Sequence, residues 1–312
     1  SGNNAVGVAL SGSGTQNNVV LGNWIGTSAD GSVDLGNTYF GVLISGAASN
    51  VVGGTAAGAG NVISGNDNMG VVITGASAAG NRLERNHIGT DAGGAADLGN
   101  TLHGVQISGG ASGNTIGGTA WGAGNLISGN DRLGVLITGS GTTGNVVQGN
   151  SVGTSLDGNG ALGNSLSGFQ ISGGASGNTI GGTAWDAGNL ISGNGHLGVL
   201  ITGSGTTGNV VQGNRVGTRR DGNGALGNSL HGVQISSSAS DNVIGGTYVG
   251  VGNQISGNVQ SGVFISGATN NLVQGNLIGT DAAGTGGLAN GQNGVQIRSE
   301  ERRVGKECTI QC

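Results

Sequence analysis

Ionisable side chains are scarce in this chain, and outside its last fifteen residues one cluster runs Arg82, Glu84, Arg85, His87 and Asp91, with Asp97 in the next loop. A histidine within reach of carboxylates could share acid–base work, and an arginine could hold a sugar carboxylate in bidentate fashion. The plainer reading is a solvated ion-pair patch on an outer strand, of small energetic weight. A second group comprises His196, Arg215, Arg219, Arg220, Asp221 and His231, spread over adjacent repeats. It could recognise an anionic sugar, or simply supply the loop charge that keeps a nearly uncharged body soluble. His196 and His231 lack a third ligand, so no metal site is expected there. The twin Asp157-Gly-Asn-Gly and Asp221-Gly-Asn-Gly loops offer oxygens to Ca2+, yet they read more simply as turns, and no cofactor is assigned.

The three tryptophans are Trp24, Trp121 and Trp185, and the apolar face of an indole stacks on sugar rings. Trp121 and Trp185 hold the same place in Thr-Ala-Trp-x-Ala-Gly, where other copies carry Ala57 and Val249. Small apolar equivalents predict a packing role, with each indole capping the edge of a coil.

These side chains must be carried on an unusual backbone. Glycine supplies 74 of 312 residues, proline none, aromatics 3% and charged residues 8%. Collagen would need proline and glycine at every third position. Helical bundles would lose about 1 kcal/mol at each helical glycine. No apolar run approaches the ~20 residues of a membrane-spanning helix. The hydrophobic residues, 35% of the chain, recur at fixed spacings, which argues against disorder.

Residues Arg298 to Cys308 read RSEERRVGKEC, an abrupt change of composition. The run resembles the in-frame translation of a short-read sequencing adapter, so 298–312 is set aside as a non-native tail. Both cysteines (Cys308 and Cys312) and the only lysine (Lys306) fall in it. The body, 1–297, has six arginines against twelve acids, a net charge of −6. Without cysteine it has neither a disulfide framework nor a thiolate metal site. Without a basic stripe it is not expected to bind nucleic acid. Beginning inside a repeat, the body reads as a single repeat domain that is a fragment, uncapped at both ends. Uncapped coils expose unpaired strand edges, which predicts end-to-end self-association.

The repeat is Gly-hydrophobic-x-hydrophobic, with its glycine at 7, 41, 70, 104, 134, 168, 198, 232, 262 and 294. Long units of about 34 residues alternate with short ones of about 30. Each unit adds two further runs opened by asparagine, such as Asn145-Val-Val-Gln-Gly-Asn and Asn150-Ser-Val-Gly-Thr. Three short strands per unit, joined by Gly/Asn/Ser turns, describe an all-β, right-handed parallel β-helix of nine to ten coils. At ~4.8 Å per coil the rod is roughly 45 Å long. Residues such as Val135 and Ile137 point inward, and corner asparagines stack on their equivalents one coil away. The outward row of the third strand then holds Trp24, Val62, His87, Leu126, Ser151, Leu190, Arg215, Gln254 and Leu277.

Asn276-Leu-Ile-Gly-Thr-Asp and Gly60-Asn-Val-Ile-Ser-Gly-Asn resemble the right-handed parallel β-helix repeats of large bacterial secreted and cell-surface proteins, an architecture shared with pectate-lyase-like enzymes. The resemblance covers essentially all of 1–297. It implies a β-helix domain and leaves activity open. Pectate lyases need clustered acidic Ca2+ ligands with an arginine or lysine base, polygalacturonases need paired aspartates, and mannuronan epimerases need a Tyr–His–Asp–Lys group. Lysine and adjacent aspartates are missing from 1–297, and Tyr39 and Tyr248 have no neighbouring histidine motif, so no catalytic residue of those enzymes can be placed here.

Repetition also bears on function. Residues 104–150 and 168–214 differ at four of 47 positions, namely Val105/Phe169, Gly122/Asp186, Asp131/Gly195 and Arg132/His196. Catalysis needs one unique constellation, whereas a binding or spacer surface gains from copies of one face. The favoured expectation is a non-catalytic segment of a larger secreted or cell-surface protein, a spacer, adhesin stalk or weak polysaccharide-binding surface. The candidate contacts are Trp24, Arg82, Glu84, Arg85, His87, Asp91, His196, Arg215, Arg219 and His231. The alternative is a polysaccharide-acting lyase, epimerase or hydrolase with its catalytic residues outside 1–297 or near His87 and Asp91.

Overall fold

A computed structural model describes residues 1–248 and 250–299. Val249 and most of the tail set aside above, including Lys306, Cys308 and Cys312, lie outside the described residues. The chain winds as a right-handed parallel β-helix. Its first coil contains β1 (Val8–Ser11), β2 (Val19–Val20) and β3 (Trp24–Ile25), and the same order of four-, three- or two-, and two-residue strands repeats up to β28 (Val295–Arg298). Every third strand joins the same sheet, giving a first sheet of ten strands and a second and third of nine each, all parallel.

The inward positions follow the period of two along each strand. Val135 and Ile137 are fully buried while Leu136 between them is not, and Val135 lies in register with Phe169 on the next coil. Stacking like on like, the coils form one continuous apolar column in which Phe169 replaces a valine.

All three corners carry asparagine ladders. At the corner before the second sheet, Asn114 donates its backbone N–H and its Nδ2 to Oδ1 of Asn145 at 3.0 and 2.9 Å, and Asn145 does the same to Asn178. Equivalent ladders run through Asn125, Asn150 and Asn189 and through Asn130, Asn164 and Asn194. Buried corners thereby satisfy backbone groups that no strand pairs. The expected stacking of asparagines is present at every corner.

Long and short units differ in where they carry a loop. Short units insert loops 54–60, 118–124, 182–188 and 246–252 between the second and third sheets. Long units insert loops 27–36, 90–99, 154–163, 218–227 and 280–289 between the third and first. Each long loop is pinched at its root by an antiparallel bridge, such as Thr90–Asp97 or Thr154–Ala161. Ser128 Oγ further fixes one root by donating to the Thr154 carbonyl and accepting from Gly153 N–H.

Candidate functional site

The third sheet lies between the two sets of loops, so its outward row becomes the floor of a cleft. The long loops fold down onto that row. A side chain on Gly94 would strike Leu126 and Leu156, and one on Gly222 would strike Gln254 and Ala282. This explains why Leu126, Ser151, Leu190 and Gln254 are buried although their strands direct them outward. Successive long loops also bond to one another, with Ala92 N–H donating to Gly31 O, Leu156 N–H to Gly94 O and Arg220 N–H to Gly158 O. They make a continuous wall along the rod. The short loops form a discontinuous wall opposite, standing two coils apart. The cleft so enclosed measures about 1260 Å3 and is lined among others by Arg85, His87, Trp121, Leu126, Trp185, Arg215 and Arg220.

The tryptophans differ from the expected caps. Trp121 is 92% exposed and Trp185 98% exposed, because each sits at the tip of a short loop that lifts the indole off the coil. Ala123 and Ala187, two residues further on, turn inward and fill the space beneath the loop instead. Trp24 lies on the third-sheet row, where the ring packs over Gly31 of a long loop.

The first ionisable group does not converge. Arg82 and Glu84 project from the second sheet, where Nε and Nη2 of the arginine bond Oε1 of the glutamate at 2.8 and 2.6 Å. His87 projects from the third sheet, and burial pushes its imidazole below the ordinary histidine pKa. The ring faces the backbone oxygen of Asp91, 3.4 Å from Nδ1. The Asp91 carboxylate is taken up by its own loop, accepting from Ala95 and Ala96 N–H at 2.8 and 2.9 Å. Burial alone would raise its pKa, but those bonds outweigh it and hold the carboxyl below its usual value. Asp97 accepts from Gly99 N–H, and burial pushes its pKa up.

Arg85 is the exception. Its φ is 56°, a left-handed conformation costing an L-residue roughly 1–2 kcal/mol. The equivalent positions Gly22, Gly149, Gly213 and Gly275 are all glycine with φ between 62° and 70°. The repeat alone could have marked Arg85 as a strained substitution. From this post its guanidinium bonds the Thr55 carbonyl at 3.0 Å and lies against Gly122, bridging two short loops beside Trp121. Arg85→Gly should raise unfolding stability by about 1 kcal/mol in urea titration, since it removes strain and loses only an exposed hydrogen bond.

The second group divides between two faces. Arg215 stands on the third-sheet row, and Arg220 crosses to the preceding long loop, reaching Ser151 Oγ at 3.0 Å and the Asp157 carbonyl at 2.9 Å. Arg219 sits in the turn of loop 218–227. His196 and His231 lie at the corner leading into the first sheet, where His231 accepts from Ser261 N–H and stacks on Phe264 at 4.6 Å. His103, unremarked in the sequence, occupies the position of His231 two double repeats earlier, accepts from Leu133 N–H, and has its pKa pushed down to about 4 by burial and by Arg132. Among the described residues no three His, Cys, Asp or Glu side chains assemble into a metal-holding group. Asp157 and Asp221 accept from Asn159 and Asn223 N–H, as turns do.

No family model matches the sequence, and no curated protein is similar to it. Among solved structures the chain is similar to a mutant of the periplasmic alginate epimerase AlgG, at 12% identity and a TM-score of 0.44, over 88% of this chain. The chain spans 61% of that protein's length. Among the described residues no helix is long and apolar enough to cross a membrane.

Proposed function

We propose that 1–297 is a non-catalytic β-helix unit of a larger secreted or cell-surface protein, a rod that spaces or adheres and presents a polysaccharide-binding face. The observation that carries this reading is the dispersal of the candidate acids and bases. Arg82 and Glu84 satisfy each other on one sheet, Asp91 is consumed by its own loop, and His87 meets only a backbone oxygen. Near-copies of one face on alternate coils support the same reading, because repetition multiplies contacts along a polymer. Association of rods end to end, through the unpaired edges of their terminal strands, belongs to this proposal.

Native gels containing pectate, alginate or dextran, with and without Ca2+, test it. Retarded migration with the polysaccharide left intact is the expected result. Shortened or unsaturated chains that disappear in His87→Ala would mean an enzyme and overturn the reading.

A further inference from the structure

We propose that the cleft over the third sheet is the binding site for an extended anionic polysaccharide, running parallel to the rod axis with its sugar rings on Trp121 and Trp185. This rests on the glycan-binding part of the function proposed above and assigns it to one face. The two indoles expose nearly their whole surface, an arrangement that costs free energy in water and marks interaction sites on soluble proteins. They occupy identical loop positions two coils apart, hence about 10 Å along the axis. That interval is close to the length of two extended pyranose units, so alternate rings of one chain would meet successive indoles. Leu126 and Leu190 lie in the floor between the loops but are nearly covered by the long loops, so the exposed apolar surface of the cleft is chiefly that of the two indoles.

Charge selects the class of sugar. The body is acidic overall, yet three of its six arginines (Arg85, Arg215, Arg220) line this one cleft, against the single carboxylate of Asp186. Arg215 makes no side-chain hydrogen bond among the described residues and keeps its donor fork free for a carboxylate or sulfate. Arg85 is held beside Trp121 by a strained backbone, and strain retained against a glycine-preferring position points to use rather than packing. Arg85 beside His87, Arg220 at Ser151 and Arg215 itself stand on alternate coils of the third sheet, although Arg220 already donates from Nε and Nη2 to Asp157 O, Ser151 Oγ and Leu156 O.

The test is a titration of the whole chain with alginate, pectate, chondroitin sulfate and the neutral polymers dextran and hydroxyethylcellulose, followed by tryptophan emission and by calorimetry. Saturable binding of the acidic polymers is expected. Trp121→Ala with Trp185→Ala should weaken it by about tenfold or more, and Arg215→Ala by about fivefold, while the melting temperature stays put because these side chains are exposed. Retained affinity in the double tryptophan variant would overturn the cleft assignment while leaving a glycan-binding rod elsewhere on the surface. Equal binding of the neutral polymers would overturn the anionic class. Binding to no polymer would remove the glycan-binding reading itself, and cleavage of a bound polymer would overturn the non-catalytic reading while leaving the cleft in place.

Discussion

Replacing Asn145 with alanine should destabilise the rod by about 3–4 kcal/mol, read as a fall in the urea midpoint at unchanged slope. Asn145 Oδ1 accepts both the backbone N–H and the Nδ2 of Asn114, and Asn145 Nδ2 donates to Ala111 O and to Asn178 Oδ1. The alanine variant strands a buried backbone donor and removes several bonds in one step. A stranded buried donor alone costs about 1–3 kcal/mol, and each lost bond roughly 1 more. Asn145→Asp should be no milder. It keeps the acceptor but loses the donor, and it places a charge where no cation is near to compensate. The control is Asn18→Ala at the exposed end of the same ladder, where Asn18 Oδ1 receives no partner from a preceding coil and the loss should stay near 1 kcal/mol. Equal effects at the two positions would show that the ladder does not act through buried donors.

That contrast also marks what the sequence makes legible. Ladder, strand register and inward row are all repeats of short-range rules. Period two fixes which residues of a strand face inward, and a repeat of about 30 residues aligns one coil on the next, so Val135 over Phe169 follows from counting. Loops obey no such period. Trp121 and Ala123 are two residues apart in the same loop, yet one projects into solvent and the other is buried, and nothing in Thr-Ala-Trp-x-Ala-Gly states which. The cleft was hidden for a related reason. Its walls come from loops on alternate coils and opposite sides, so Arg85, Trp121 and Arg215 meet one channel only after the chain has wound around several times. Arg85 is legible by contrast, because four equivalent glycines mark a left-handed backbone at its position. Register fixes the outward row of the third sheet but not its solvent contact, since its leucines are roofed by long loops whose descent only three dimensions reveal.

Phe169 supplies the other large expected effect. It is fully buried, and its neighbours in register, Val135 and Val199, are both valines, as is Val105 in the near-identical preceding double repeat. Phe169→Ala should cost about 4 kcal/mol, the loss of aromatic burial plus the cavity left in a column that closes poorly from either side. Phe169→Val should cost under ~1.5 kcal/mol, because the same coil geometry already accommodates valine at the flanking positions and relaxation can follow that template. The two variants separate two views of the interior. If each coil is packed independently to the pattern of its repeat, valine is tolerated and alanine is not. If the coils around 169 have instead expanded to fit the ring, valine will leave a void and both variants will unfold at similar urea concentrations. Nearest-neighbour stacking in a solenoid favours the first outcome: each coil touches only the two beside it, so a misfit of one ring has nowhere to be absorbed further along the rod.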